Sequence, residues 1–197
     1  MVELDQQWRR QARRTTFEAY RQRHESIWIG AHGNSMRPLI GPTTWMHVEF
    51  GGAEFAIGDI IVFPLGDLLV AHRVVALKRR EGQLILIPKG DAEPYTDQPI
   101  KPSDVFGLVR ALRQGQSGPS TFFGCAGRSA RIIATISRAC GRFGALLRRA
   151  ATLLPDPLRR MAQNAIPPFI RVVARILFTP LQWATWLEIS NQNQGRR

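Results

Sequence analysis

Cysteine is scarce in this chain of 197 residues: only Cys125 and Cys140 occur. Neither stands at a metal-ligand spacing from another cysteine or a histidine, so they offer no zinc site, and two cysteines make at most one disulfide. Two free thiols of a reducing compartment are expected instead. An apolar leader is also missing. Residues 1–25 run through Arg9, Arg10, Arg13, Arg14, Arg21 and Arg23 with acids between them, a pattern unlike a signal peptide. Long apolar runs are absent as well. The longest charge-free apolar stretch near the C-terminus, 176–187, contains Pro180. It would reach about 18 Å as a helix, short of the roughly 30 Å needed to span a bilayer. No transmembrane helix is expected, which points to a cytoplasmic or peripherally membrane-associated protein. There is no internal repeat and no low-complexity block.

Acidic residues and lysine are lacking in one region only. Residues 115–197 hold 12 arginines, no lysine, and Asp156 and Glu188 as the only acids, whereas residues 1–114 are nearly balanced. The formal charge of +12 therefore belongs to the C-terminal part. Such a segment suits an anionic partner. An anionic membrane surface contacted through residues 121–197 is one expectation, because 166–187 mixes arginine with Trp183 and Trp186. A helix packed on the rest of the protein is an equal expectation. A nucleic-acid partner is not expected, since the arginines form no recognisable binding motif.

What is present divides the chain into four parts. Residues 1–25 read as a charged helix, with Trp8, Phe17 and Tyr20 as its apolar contacts. From 26 to 113, short apolar runs alternate with Gly, Pro and Asp. Strands are expected near 27–29, 45–50, 59–63, 68–77, 84–88 and 105–111, with turns at pairs such as Gly58-Asp59, Glu81-Gly82 and Gly90-Asp91. This predicts a mainly β fold, a small antiparallel domain. Residues 114–120 read as a linker. Residues 121–197 then take a helical period, with an expected apolar stripe of Ile132, Ile133, Ile136, Phe143, Leu146 and Leu147, broken by prolines into two or three helices.

Three segments carry chemistry. The first is Gly33-Asn34-Ser35-Met36-Arg37-Pro38. A serine hydroxyl becomes a useful nucleophile only with a base to take its proton, and it needs a bend that exposes the oxygen beside a backbone N–H. Gly33 and Pro38 favour such a bend. The second is Leu68-Leu69-Val70-Ala71-His72-Arg73-Val74-Val75, a strand in which Val70, His72 and Val74 share one face. Imidazole titrates near neutrality and suits the role of general base. The third is Lys89-Gly90-Asp91 followed by Asp97. A carboxylate on the far ring nitrogen would fix the tautomer of the histidine and stabilise its cation. Either aspartate fits that role at this stage.

In combination with Gly58-Asp59-Ile60-Ile61-Val62-Phe63 and Val105-Phe106-Gly107, these segments resemble type I signal peptidase over about residues 30–110. They are most similar to its serine–histidine branch of endoplasmic-reticulum and archaeal type. The resemblance implies a signal-peptidase/LexA-like catalytic domain with Ser35 as nucleophile, His72 as base, and Asp91 and Asp97 as the family aspartates. Gly33, Asn34, Met36 and Pro38 would shape the nucleophile loop. It implies an endopeptidase that removes signal or leader segments from protein substrates and uses no cofactor and no metal. Two features depart from the family pattern: the charged segment in place of a membrane anchor before the serine, and the Arg-rich tail. Gly33 also stands where many members carry a hydroxyl residue. A LexA-like self-cleaving regulator, with Ala126-Gly127 as a cleavage bond, and a non-enzymatic binding module with a basic tail are the alternatives.

Overall fold

The computed structural model describes residues 15–23, 25–51, 54–65, 68–115, 120–122, 128–166, 168–169, 172–173 and 176–177. Helix α1 covers 15–23. Seven strands follow: β1 (Ser26–Gly30), β2 (Thr44–Phe50), β3 (Ile60–Leu65), β4 (Leu68–Arg80), β5 (Gln83–Lys89), β6 (Gly107–Gln114) and the short β7 (Ser120–Phe122). A 3-10 turn, Pro102–Asp104, precedes β6. Helix α2 (Arg128–Ala151) and helix α3 (156–166) come next, and the described residues 168–169, 172–173 and 176–177 are helical as well. The fold is mainly β, as the turn spacing predicts.

All pairings are antiparallel, in the order β1-β2-β6-β3-β4-β5, with β7 added to β6. The strand faces alternate between two cores, as a pleat of period two requires. Ile60 and Val62 join Val48, Phe50, Val109 and Leu112 in one core; Ile61 and Phe63 join Val74, Leu86 and Leu108 in the other. Helix α1 closes the first core. Phe17 and Tyr20 each lie 5.6 Å, ring centroid to centroid, from Phe50. These are the apolar contacts expected of the segment 1–25; Trp8 lies outside the described residues.

The boundary at 114–120 needs correction. Ser120 belongs to β7, which pairs with Ala111, Leu112 and Arg113 of β6, so the sheet continues past the expected linker before the helices begin. The expected stripe on α2 also splits. Ile133 is buried and Ile136 and Leu147 are half-buried, whereas Ile132, Phe143 and Leu146 face solvent. Small residues make the closest contact with the sheet. A Cβ at Gly58 would lie 2.9 Å from the Ala130 carbonyl carbon, and one at Gly141 would lie 3.2 Å from Cε of Lys89. Gly58 has φ of +106°, so it is needed for its turn as well as for the space it leaves. Among the described residues, no helix is long and apolar enough to cross a membrane. Cys140 is a buried free thiol, and Cys125 lies outside the described residues. So do Trp183 and Trp186 of the expected interfacial segment.

Candidate active site

Ser35 sits in the loop that leaves β1. Buried Met36, Leu39 and Ile40 anchor this loop in the first core. The bend is closed by the Arg37 N–H donating to the Asn34 carbonyl at 3.2 Å and the Ile40 N–H donating to the Met36 carbonyl at 3.0 Å. Pro38 follows a cis peptide bond. A side chain at Gly33 would meet nothing within 4 Å, so the space beside the serine is open there.

His72 comes from β4 and is 4% exposed. Phe63 meets its ring edge-on at 6.0 Å between centroids. Val70 and Val74 pack against the same core as Phe63, which fits the predicted shared face. His72 Nε2 lies 2.9 Å from Ser35 Oγ, and His72 Nδ1 lies 2.6 Å from Asp97 Oδ2. A carboxylate only accepts hydrogen bonds, so the ring proton belongs on Nδ1 and Nε2 is left to accept from the serine hydroxyl.

Asp97 and Asp91 have different partners. Asp97 is held by its own backbone N–H, which donates to the Pro88 carbonyl at 2.9 Å. Asp91 accepts from Arg73 instead: from Nε at 2.9 Å and from Nη2 at 2.7 Å. Both side chains of that pair are almost fully buried, and Arg73 Nη1 also donates to the Gly58 carbonyl at 2.9 Å. Of the two aspartates left open by the sequence, Asp97 and not Asp91 is therefore the partner of His72, and the placing of Asp91 among the catalytic residues is corrected. Arg73 is the next residue along the strand from His72, so its side chain leaves the opposite face and takes Asp91 with it.

The backbone around Asp91 holds the serine loop. The Ala92 N–H donates to the Ser35 carbonyl at 2.7 Å, and the Asp91 N–H donates to Met36 Sδ at 3.4 Å. A Cβ at Gly90 would lie 2.8 Å from the Ser35 carbonyl oxygen and 3.1 Å from His72 Nε2, so only glycine fits. Behind this loop lies Lys89, which is 0% exposed. Its Nζ donates to the Gly90 carbonyl at 3.1 Å and to Ser137 Oγ on α2 at 2.9 Å. Arg148 of α2 stacks over the ring of Tyr95 at 3.9 Å. The helix thus buttresses the segment 89–97 from outside. Motif reading missed these roles of Arg73, Lys89 and Ser137, although the first two stand inside the quoted segments.

Burial lowers the Lys89 pKa from 10.5, and attraction to Asp91 only partly opposes this. Burial also raises that of the nearby Cys140 thiol. For Lys89 the sign is plain. Between the lowered folded pKa and the unfolded value near 10.5, the unfolded chain binds more protons, so stability rises with pH there. Lys89→Met keeps the volume and removes the charge. Urea unfolding should find this variant comparing best with wild type near pH 7, and losing ground steadily as pH rises toward 10. A pH-independent difference would show that the buried ammonium carries no such penalty.

The serine, histidine and Asp97 open onto a cleft of about 1010 Å³. One wall is formed by residues 29–33 and the other by Leu68, Leu69, Val70 and Ala71. Ile29 and Gly30 belong to the edge strand β1, and residues 68–71 to a stretch of β4 free on its β5 side, among the described residues. β1 ends the sheet, and β5 begins pairing with β4 only at Arg73. The arrangement can pass a proton from Ser35 Oγ to His72 Nε2 and hold the imidazolium against Asp97. No cluster of His, Cys, Asp or Glu suited to a metal occurs among the described residues. In comparisons with known proteins, no family model, no curated protein and no solved structure matches this chain significantly.

Proposed function

We propose that this protein is a serine endopeptidase of signal-peptidase type that removes signal or leader segments from other proteins. The observation that carries the reading is the continuous relay Ser35–His72–Asp97, at 2.9 and 2.6 Å, on the floor of an apolar cleft between two free strand edges. A polypeptide can enter such a cleft as an added strand, with main-chain hydrogen bonds to the edges and side chains in the apolar walls. Ser35 Oγ attacks the scissile carbonyl while His72 Nε2 takes its proton. Asp97 stabilises the imidazolium, which then protonates the leaving amine. The acyl group stays on Ser35 until a water, deprotonated by His72, releases it. Backbone N–H groups of the loop around Asn34 and Ser35 are the proposed oxyanion donors, since Gly33 offers no hydroxyl. This chemistry calls for no cofactor.

A binding module would gain nothing from an aligned hydroxyl, imidazole and carboxylate. The LexA-like alternative has no structural support here, because Ala126 and Gly127 lie outside the described residues. Covalent labelling tests the proposal before any substrate is known. A fluorophosphonate should modify Ser35 and no other serine in peptide mapping, and His72→Gln should abolish the labelling. Labelling that ignores both residues would remove the basis of the reading.

A further inference from the structure

The outer surface of the α2–α3 hairpin has no role in the relay, and its pattern is specific. Helix α2 turns its small, buried residues Ser137, Cys140, Gly141 and Gly144 inward. Its outward stripe runs through Ile132, Ala139, Phe143, Leu146 and Ala150. At about 100° per residue these positions fall in one sector. Leu146 is 63% exposed. Helix α3 packs beside α2 through Ile166, Ala162, Cys140 and Ala151, and adds exposed Leu158 and Met161. Leu153, in the turn between them, is 86% exposed. So many large apolar side chains exposed on one hairpin, three of them in one sector of α2, are unusual on a protein that meets only water.

Its border has one sign of charge. Arg131, Arg138, Arg142 and Arg149 each precede a member of the outward stripe by one residue, so they form a parallel stripe alongside it. Helix α2 contains no acid at all, and the sole acid of α3, Asp156, is paired with Arg159. A nucleic acid would take the arginines and leave Phe143 and Leu146 in water. A protein partner would use a surface of mixed donors and acceptors more readily than one of guanidinium and hydrocarbon alone. Apolar side chains bordered by arginine match the boundary between acyl chains and anionic headgroups.

We propose that the outer face of the α2–α3 hairpin docks the protein peripherally on an anionic lipid bilayer, with Ile132, Phe143 and Leu146 entering the acyl boundary and the arginine stripe meeting the headgroups. The idea is independent of the peptidase reading, because vesicle binding is measured without cleavage. The inner face of the same helix contacts Lys89 and Tyr95, so the helix that docks is the one that buttresses the segment 89–97.

The test is sedimentation of the full chain with two kinds of vesicle: phosphatidylcholine alone, and phosphatidylcholine containing about a quarter phosphatidylglycerol. The protein should pellet with the anionic vesicles at low salt and not with the neutral ones. Near 1 M salt, where the screening length is about 3 Å, binding should largely vanish. Phe143→Asp with Leu146→Asp should weaken binding by about tenfold or more, and Arg142→Gln or Arg149→Gln by about fivefold each. All these residues are exposed, so melting temperatures should stay near that of wild type. The wild-type arm decides even if a variant folds poorly. Protein left in the supernatant with anionic vesicles, or equal binding to both kinds, overturns the proposal. So does a concentration-dependent dimer that Phe143→Asp dissolves while vesicles stay unbound, since a second copy would then cover this face.

Discussion

Alanine at Ser35 should lower kcat by about 10⁶-fold, alanine at His72 by nearly as much, and the double variant should fall no further. The reason is the 2.9 Å contact between Ser35 Oγ and His72 Nε2. Without the imidazole the hydroxyl keeps its proton and attacks poorly, and without the hydroxyl the imidazole has nothing to activate. Each deletion therefore removes the whole effect of the pair. The rate that survives should be that of substrate held near the oxyanion donors and attacked by water. The measurement is single-turnover cleavage of a peptide bearing an apolar segment and a small residue before the scissile bond. Circular dichroism would run in parallel to show that each variant is folded. Losses that multiply in the double variant would mean that the two residues act separately, and a folded Ser35→Ala with full activity would end the assignment.

Much of this arrangement was legible in the sequence because strands impose a period of two. The alternation around His72 correctly puts Val70 and Val74 on its face, and the Gly-Asp pairs mark turns that do separate strands. The choice between Asp91 and Asp97 was harder, since both lie in one loop and the spacing alone favours neither. A signal was nevertheless present. His72 and Arg73 are adjacent in a strand and leave opposite faces, and a buried arginine demands its own carboxylate. Two acids following two such residues read naturally as two separate pairs. The packing of α2 was not legible for a different reason. Apolar residues occupy more than one side of that helix, so periodicity cannot say which side meets the sheet. The contact is made instead by Ala134, Ser137 and Gly141, whose smallness lets the helix come close to Lys89. Such residues add little to a hydrophobic pattern. The strand β7 was missed because three residues after a Gly- and Ser-rich stretch carry almost no alternation.

Asparagine at each of the two aspartates should give opposite phenotypes. Asp97→Asn keeps the shape of the side chain but presents an amide whose NH₂ can donate to His72 Nδ1. That stabilises the tautomer with its proton on Nε2, facing Ser35, where it cannot accept the hydroxyl proton. A loss of about 10⁴ in kcat is expected, with the melting temperature little changed, because Asp97 is partly exposed and its backbone bond to Pro88 remains. Asp91→Asn removes the counter-charge of Arg73, whose side chain is 3% exposed, and leaves a buried guanidinium without compensation. Breaking such a pair costs about 3–5 kcal/mol. In a chain of this size that is a fall in melting temperature of about 10 °C. Below the melt, cleavage should persist within about tenfold of wild type, because the relay does not pass through Asp91. Replacing both partners, as Arg73→Met with Asp91→Leu, should recover much of the lost stability, since an apolar pair of similar volume leaves no charge to desolvate. Thermal melts and single-turnover rates on the four proteins separate the roles. If Asp91→Asn lost activity as Asp97→Asn is expected to while keeping its melting temperature, Asp91 would have to be placed in the relay after all.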